Sequence, residues 1–172
     1  FVGNVMIDSL LASLPKAADP KTLLTEAGHD ASRIAGGYGV VTMHRPSNVD
    51  SAETLAPLLR ALREVSTRLP LVFALHPRTR NNIERFGLQA ELDEGNFLIL
   101  PPQGYLEMLG LMANARMVLT DSGGIQEETT ALGVPCLTIR ENTERPITID
   151  QGTNTLVGTS PEAIISAAAH VL

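Results

Sequence analysis

The stretch Met117-Val118-Leu119-Thr120-Asp121-Ser122-Gly123-Gly124-Ile125-Gln126-Glu127-Glu128 decides the fold of this chain. It holds an apolar strand-like run, a turn of small residues and a helix-like run that ends near Gly133. This order points unpaired backbone N–H groups and the positive end of a helix dipole at an anion. Ser122 is placed to cap the helix, and Gly123 and Gly124 let a phosphate approach the backbone. We therefore expect a phosphate-bearing ligand; the alternative is an ordinary helix N-terminus with glycines for tight packing.

Composition bounds the class of protein. The 172 residues suffice for one domain, and with 44% hydrophobic but only 3% aromatic residues the core must be built from aliphatic side chains. The net charge of −6 and the lack of a Lys/Arg-rich block disfavour nucleic acid as a partner. No apolar run is long enough for a bilayer and no signal peptide is visible, so we expect no membrane association. A single cysteine, Cys136, excludes an internal disulfide and a multi-cysteine metal site; it fits a reducing, cytoplasmic compartment and is expected to be buried.

Strand-like and helix-like runs alternate along the whole chain. We predict strands at 38–43, 71–75, 97–100, 117–120 and 135–139, a short sixth strand at 156–157, and helices at 5–14, 51–68, 79–86, 105–113, after Gly124 and at 161–170. Repeated βα units with apolar strands predict one α/β domain, with a Rossmann-like parallel sheet and helices on both faces. Ligands of such sheets bind at the carboxyl ends of the strands.

Polar, turn-forming clusters follow five of the predicted strands. They are His44-Arg45-Pro46-Ser47-Asn48, His76-Pro77-Arg78, Pro101-Pro102-Gln103, Asp121-Ser122-Gly123-Gly124 and the run from Arg140 to Pro146. Because the carboxyl ends of parallel strands meet at one edge of the sheet, five such clusters indicate a ligand cleft there.

Several side chains in these clusters have two readings. His44 is either a structural residue or a group that binds phosphate and moves a proton; Arg45 beside it favours the second reading, and His76 has a similar but weaker case. Arg145 either forms a surface ion pair with Glu144 or Glu141, or it holds an anion or a buried carboxylate.

The remaining candidates are single residues. Gln103 either hydrogen-bonds a base or phosphate or belongs to its turn. Glu128 lies one turn into the helix, where its carboxylate can accept hydrogen bonds from a ribose diol beside a diphosphate, whereas Glu127 should point elsewhere. Asp121 is expected to be structural, capping or bracing its turn.

Five motifs together resemble a known family, the UDP-N-acetylglucosamine 2-epimerases of the non-hydrolysing type, in their C-terminal domain. The motifs are Gly3-Asn4-Val5-Met6-Ile7-Asp8, Thr42-Met43-His44-Arg45, the string from Thr120 to Glu128, Glu144-Arg145-Pro146 and Gly152-Thr153-Asn154. The resemblance implies one half of a glycosyltransferase-B-like two-domain fold. It also implies interconversion of UDP-GlcNAc and UDP-ManNAc by elimination and re-addition of UDP, without a redox cofactor.

The resemblance also implies roles for single residues and a domain organisation for the whole enzyme. Ser122, Gly123 and Gly124 would bind the diphosphate and Glu128 the ribose, with Gln103 and Arg145 contributing to the nucleotide pocket. His44 would be catalytic at the diphosphate. Met108 stands where the family often has an aromatic residue beside the uracil. Residues 1–172 would be the UDP-binding domain of a homodimeric enzyme, with the N-terminal domain that carries the proton-transfer carboxylates, and a last segment, absent.

Two departures bear on a second ligand site. Arg45 and His76 fall near a site where UDP-GlcNAc activates some bacterial members, but Arg45-Pro46-Ser47-Asn48 replaces the common Arg-x-Glu-Asn and His76-Pro77-Arg78-Thr79 replaces His-x-Asn-Pro. The alternatives left open are an epimerase of a modified UDP-sugar, a hydrolysing epimerase, a transferase of the same architecture and a nucleotide-sugar-binding module without chemistry.

Overall fold

The computed structural model describes residues 4–172, so Gly3 of the first family motif lies outside the described residues. The sheet consists of β1 (Gly39–Thr42), β2 (Leu71–Ala74), β3 (Phe97–Leu100), β4 (Met117–Thr120), β5 (Cys136–Thr138) and β6 (Asn154–Leu156). The helices are α1 (Val5–Ser13), α2 (Pro20–Glu26), α3 (Pro46–Val49), α4 (Ala52–Ser66), α5 (Pro77–Arg85), α6 (Gln89–Asp93), α7 (Tyr105–Ala113), α8 (Gly123–Leu132), α9 (Ile147–Asp150) and α10 (Pro161–Val171), with 3-10 turns at Leu14–Lys16 and Ala31–Ile34.

All six strands are parallel, in the order β3-β2-β1-β4-β5-β6. The chain runs outward from β1 to β3 on one side and then returns to place β4 beside β1 on the other. The carboxyl ends of β1 and β4 therefore flank the point where the strand order reverses. In open α/β sheets the ligand crevice lies at this switch point.

Alternation along the strands places apolar side chains on both faces of the sheet. Val40, Val72 and Val118 belong to one buried cluster, which they share with residues of α2 and α7. Val41 and Phe73 belong to the other, shared with residues of α4, α5, α6 and α10. Helices on both faces are what the sequence predicts, and that prediction is confirmed.

Most predicted elements are present with small changes at their ends. The bounds of β3, β4 and α7 match the prediction, while the sixth strand, Asn154–Leu156, starts two residues and ends one residue earlier than expected. The helix predicted at 79–86 starts at Pro77 because proline favours the first helical position and His76 caps the helix. The helices that were not predicted are α2, α3, α6 and α9. Cys136 is fully buried in β5, as expected.

Candidate functional site

The N-terminus of α8 opens at the switch point. Ser122 takes the N-cap position with an extended backbone, φ −82° and ψ 134°, and its N–H donates to Thr120 Oγ1 at 3.0 Å. Ser122 thus occupies the N-cap position as expected, but within residues 4–172 its hydroxyl does not make the capping hydrogen bond. The first N–H groups of α8 thus keep their capacity for an acceptor from outside the chain.

Gly123 and Gly124 are required neither by backbone conformation nor by packing. Neither has a positive φ. A Cβ added at Gly123 would come no closer than 3.8 Å, to Glu144 Oε2, and one at Gly124 would meet only the flexible end of Met6 at 3.4 Å. Small residues where the protein itself leaves room are what a close approach of a ligand to the backbone requires.

His44 is held by a buried carboxylate from the neighbouring strand end. Asp121 is fully buried, and its Oδ1 lies 3.1 Å from His44 Nδ1. The same carboxylate accepts the backbone N–H groups of His44 at 3.0 Å and Arg45 at 2.9 Å, and the Asn48 side-chain amide at 3.2 Å. Asp121 was expected to be structural, and it does brace a turn; that turn is the one after β1, rather than its own.

These contacts favour the charged form of both His44 and Asp121. The hydrogen bond to Asp121 raises the pKa of His44, although partial burial and the charge of Arg45 oppose the rise. Burial works to raise the pKa of Asp121, but the hydrogen bonds from His44 and Arg45 outweigh it and leave that pKa below its ordinary value. The arrangement therefore favours an ionised carboxylate beside a protonated imidazole.

Arg45, Arg140 and Glu144 lie next to the pair formed by Asp121 and His44. The Arg45 Nε donates to the Asp121 carbonyl oxygen at 2.9 Å. The buried Arg140 holds Glu144 through two hydrogen bonds of 2.8 and 2.7 Å, and this pairing lowers the pKa of Glu144 to about 2. Glu144 also lies 3.7 Å from Arg45. A polar cavity of about 420 Å³ is lined in part by Arg45, Arg140 and Asn48.

Arg145 pairs with a carboxylate on α8 that the sequence did not point to. Its Nε lies 3.0 Å from Oε2 of Glu127, whose side chain is only 16% exposed. The Nε–H is not aligned with that oxygen, so the contact is an ion pair and not a hydrogen bond. The predicted alternative of a largely buried carboxylate therefore describes Arg145 better than a surface pair with Glu144 or Glu141. Its side chain stays 42% exposed and can reach a ligand.

Glu127 and Glu128 have different surroundings, as the helical spacing predicts. Glu127 is taken by Arg145 and by the Asn4 amide at 3.1 Å. Glu128 is half-buried, and burial together with the charge of Glu127 raises its pKa. A carboxylate in this state gains from hydroxyl donors, which a ribose diol would supply.

The candidates on the β2 and β3 side have mainly local contacts. His76 is exposed, and its Nδ1 accepts the Arg78 N–H at 3.2 Å, although its ring centroid lies 5.5 Å from that of His44. Gln103 Nε2 donates to its own turn, at the Pro101 carbonyl oxygen, over 2.7 Å. Met108 is partly buried against the apolar cluster beneath α7. These three side chains are therefore less firmly placed than His44.

Comparison with known proteins identifies the family. The family model described as UDP-N-acetylglucosamine 2-epimerase matches residues 1–172. The chain belongs to the UDP-N-acetylglucosamine 2-epimerase family.

Among relatives of the family, the UDP-N-acetylglucosamine 2-epimerase of Methanococcus maripaludis is 39% identical, over 100% of this chain and 47% of that protein. The UDP-2,3-diacetamido-2,3-dideoxy-D-glucuronate 2-epimerase of Pseudomonas aeruginosa is 38% identical, over 97% of this chain and 44% of that protein. The crystal structure of the Methanocaldococcus jannaschii UDP-GlcNAc 2-epimerase in complex with UDP-GlcNAc and UDP superimposes with a TM-score of 0.81 at 37% identity, covering 99% of this chain and 47% of that one. The chain thus spans about half the length of these family members.

Sequence reasoning missed two parts of this epimerase-family site. It did not connect Asp121 to His44, because the partners lie 77 positions apart. It also gave no role to Gln126, which is fully buried, donates to the Ser122 carbonyl oxygen at 3.2 Å and accepts from Thr143 and Asn154 at 2.5 and 3.0 Å. A glutamine inside an otherwise ordinary helical run gives no periodic signal of such a network.

The described residues offer neither a metal cluster nor a membrane-spanning helix. No group of three or more His, Cys, Asp or Glu side chains among residues 4–172 is placed to hold a metal ion. Over the same residues, no helix is both long enough and apolar enough to cross a bilayer.

Proposed function

We propose that this chain is the C-terminal, UDP-binding domain of an enzyme that interconverts UDP-GlcNAc and UDP-ManNAc by elimination and re-addition of UDP. The observation that carries the proposal is the opening of α8 at the switch point, with Ser122, Gly123 and Gly124 beside His44. Family membership and the likeness to an epimerase in complex with UDP-GlcNAc and UDP support the nucleotide sugar as the ligand.

Each binding role follows from what the side chain or backbone offers. The Ser122 hydroxyl, the N–H groups of Gly123 and Gly124 and the dipole of α8 bind the diphosphate. Glu128 accepts the ribose hydroxyls, and Arg145, held by Glu127, adds positive charge to the nucleotide pocket. Gln103 and the backbone near Met108 contact the base. All of these side chains lie at the carboxyl edge of the sheet or on helices that begin there.

The proposed chemistry needs little from this domain beyond control of the leaving group. A carboxylate of the other domain takes the C2 proton, the C2–H electron pair forms the C1=C2 double bond, and the C1–O pair leaves with the diphosphate. His44, protonated beside Asp121, stabilises the negative charge on the departing oxygen. UDP then returns to C1 while C2 receives a proton on the opposite face.

A second substrate class has one specific observation in its favour. The relative that acts on a diacetamido glucuronate nucleotide is as similar to this chain as the relative named for UDP-GlcNAc, at 38% and 39% identity. Overall identity therefore does not favour one of these two substrates over the other. An epimerase of a modified UDP-sugar is the second candidate.

Three further properties are proposed with this function. UDP-GlcNAc also acts as an activator near Arg45 and His76; the cavity beside Arg45 and the proximity of the His44 and His76 rings support this. The enzyme is a homodimer, as the family resemblance implies, and it works in the cytoplasm, where the free thiol of Cys136 would stay reduced. Initial rates as a function of UDP-GlcNAc concentration, and light scattering, test the first two.

Binding of UDP to this chain is the first test. Calorimetry should give a Kd for UDP that is at least about tenfold lower than for uridine, because uridine lacks the diphosphate that α8 binds. Gly123→Ala should weaken UDP binding by about tenfold or more, because its methyl group fills space that the diphosphate needs. Gly36→Ala is the matched control, since Gly36 also has open space around it but lies away from the site. Equal binding by both variants would contradict the diphosphate assignment.

Product analysis by the full-length enzyme is the second test. Incubation with UDP-GlcNAc in D₂O should give UDP-ManNAc with deuterium at C2. Free ManNAc plus UDP would indicate the hydrolysing reaction, a transferred sugar would indicate a transferase, and UDP binding without turnover would indicate a binding module. Turnover of a diacetamido glucuronate nucleotide alone would select the second substrate class.

A further inference from the structure

The Asp121 carboxylate accepts hydrogen bonds from residues after the neighbouring strand, β1, rather than from the helix that follows it. It stands at the carboxyl end of β4, yet its side-chain partners are the His44 ring, two backbone N–H groups after β1 and Asn48 of α3. Asn48, itself 2% exposed, also donates to the Ile139 carbonyl oxygen at 2.9 Å. The carboxylate is therefore fixed from three sides before any ligand binds.

The donors around Asp121 determine where the proton of His44 lies. Two backbone N–H groups and an amide can only donate, so the carboxylate acts purely as an acceptor and His44 Nδ1 must carry a hydrogen. The other ring nitrogen, Nε2, has no hydrogen-bond partner within residues 4–172, and the His44 side chain is 44% exposed. Nε2 is thus the nitrogen that can meet a ligand.

We propose that Asp121 is a positioning residue for His44: it fixes the ring through Nδ1 so that Nε2–H donates to the diphosphate oxygen that separates from C1. This inference rests on the proposed function. A charged donor held in place does not have to reorganise as negative charge develops, which is why it favours the transition state over the bound substrate. Asp121 itself does not contact the nucleotide sugar.

The charged groups around His44 include some that favour and some that oppose protonation of its ring. The charge of Arg45 opposes protonation of the His44 ring, and the ring of His76, the N-cap residue of α5, lies 5.5 Å from that of His44. Arg140 lies near enough to Asp121 to interact with its charge, and Glu144 is held between Arg140 and Arg45. Asp121 is the group in direct contact with the ring, so its removal should change the protonation of His44 more than any other single charge.

The first experiment reads the ring itself and does not depend on catalysis. The chain has four histidines, so ¹⁵N-labelled histidine gives a resolvable long-range ¹H–¹⁵N spectrum. Neutral His44 should be the Nδ1–H tautomer, and it should lose this tautomer in Asp121→Asn but keep it in Asn48→Ala. The Asn48 variant also removes buried hydrogen bonds next to Asp121. An Nε2–H tautomer in the wild-type chain would overturn the proposal, whether or not the Asp121 variant folds.

The second experiment uses the full-length enzyme. Asp121→Asn should lower kcat by roughly 10²-fold with little change in KM, and should move the alkaline limb of the pH–rate profile to lower pH. Asp50→Asn removes an equal charge from the end of α3, where Asp50 pairs with Arg78, and should leave kcat and the profile unchanged. An unchanged profile in a folded Asp121→Asn enzyme overturns the positioning role. If the wild-type enzyme does not turn over any UDP-sugar, the proposed function fails, while the histidine spectrum still decides the pairing.

Discussion

His44 and His76 occupy equivalent places in the sheet and have opposite surroundings. Each follows the end of a buried parallel strand by two residues, His44 after β1 and His76 after β2. His44 Nδ1 faces the buried carboxylate of Asp121 from the adjacent strand end. His76 Nδ1 accepts the N–H of Arg78 in its own helix. Nδ1 of His44 must therefore carry a hydrogen, whereas Nδ1 of His76 must be unprotonated to accept its hydrogen bond.

The difference follows from what lies next to each strand. The β1 end adjoins β4 at the switch point, where Asp121 and the N-terminus of α8 approach it. The β2 end lies between β1 and β3, and the nearby acid, Asp50, is exposed and paired with Arg78. A histidine at the carboxyl edge thus becomes a candidate for chemistry through its neighbour in space, and the same sequence position one strand away yields a helix cap.

The largest expected contrast is in turnover. His44→Ala should lower the rate of UDP-GlcNAc epimerisation by the full-length enzyme by roughly 10²- to 10⁴-fold, because the donor at the leaving oxygen is lost. His76→Ala should lower it by less than about tenfold, since that ring acts through its helix or the activator. Initial rates of UDP-ManNAc formation at saturating substrate measure both. Similar losses in the two variants would remove the distinction between the rings.

The next contrast is in stability. Asp121→Ala should lower the free energy of unfolding by about 3 kcal/mol, because it leaves the partly buried N–H groups of His44 and Arg45 and the buried amide of Asn48 without their acceptor. Asp50→Ala should change stability little, since its pair with Arg78 is exposed to solvent. Urea unfolding at pH 7 followed by circular dichroism measures both variants. Equal shifts of the unfolding midpoint in the two variants would mean that the contacts of Asp121 do not stabilise the fold more than those of Asp50.

A smaller effect is expected at Gln103. Its Nε2 already donates to the Pro101 carbonyl oxygen, so only its oxygen is offered to a ligand. Gln103→Ala should raise the Kd for UDP by about tenfold at most, because tenfold corresponds to about 1.4 kcal/mol, near the upper end for one ordinary hydrogen bond. Arg145→Ala, which removes a charge, should raise the Kd further. Calorimetry on the chain measures both, and a larger effect at Gln103 than at Arg145 would contradict this ranking.

The smallest effect is a dependence of stability on pH. The pKa of His44 is higher in the folded chain than its ordinary value of 6.5. His44 therefore contributes stability that is complete below pH 6.5 and is lost as the pH rises through the pKa of the folded state. His44→Gln should therefore flatten the stability curve above pH 6.5, with His170→Gln as the control. The lowered pKa values of Asp121 and Glu144 act on the acid side, where stability falls below pH 3.8 for the first and between pH 4.5 and about 2 for the second.

The sequence was informative where a signal is local. The apolar runs of β3 and β4 and the helical spacing of α7 were enough to predict their bounds, and the Ser-Gly-Gly turn lies at the carboxyl edge of the sheet as expected. The helices α3 and α6 have four and five residues, too few for an apolar period to register. For Arg145 the sequence offers a buried carboxylate as one reading, but it does not indicate that this carboxylate is Glu127 of α8. Partners brought together by a parallel sheet carry no local signature.

The buried amide of Gln126 has a kinetic consequence. It ties the turn that begins α8, the loop at Thr143 and strand β6 into one hydrogen-bonded unit. In the proposed reaction UDP leaves the sugar and is then added back to it. The time that UDP stays bound in the crevice therefore decides whether epimerisation is completed or the intermediate with the C1=C2 double bond, the glycal, is released. Because the turn before α8, the loop at Thr143 and β6 share one buried hydrogen-bond network, we expect them to move together. The fidelity of the enzyme, measured as product per glycal released, would then depend on a glutamine that lies out of reach of the nucleotide.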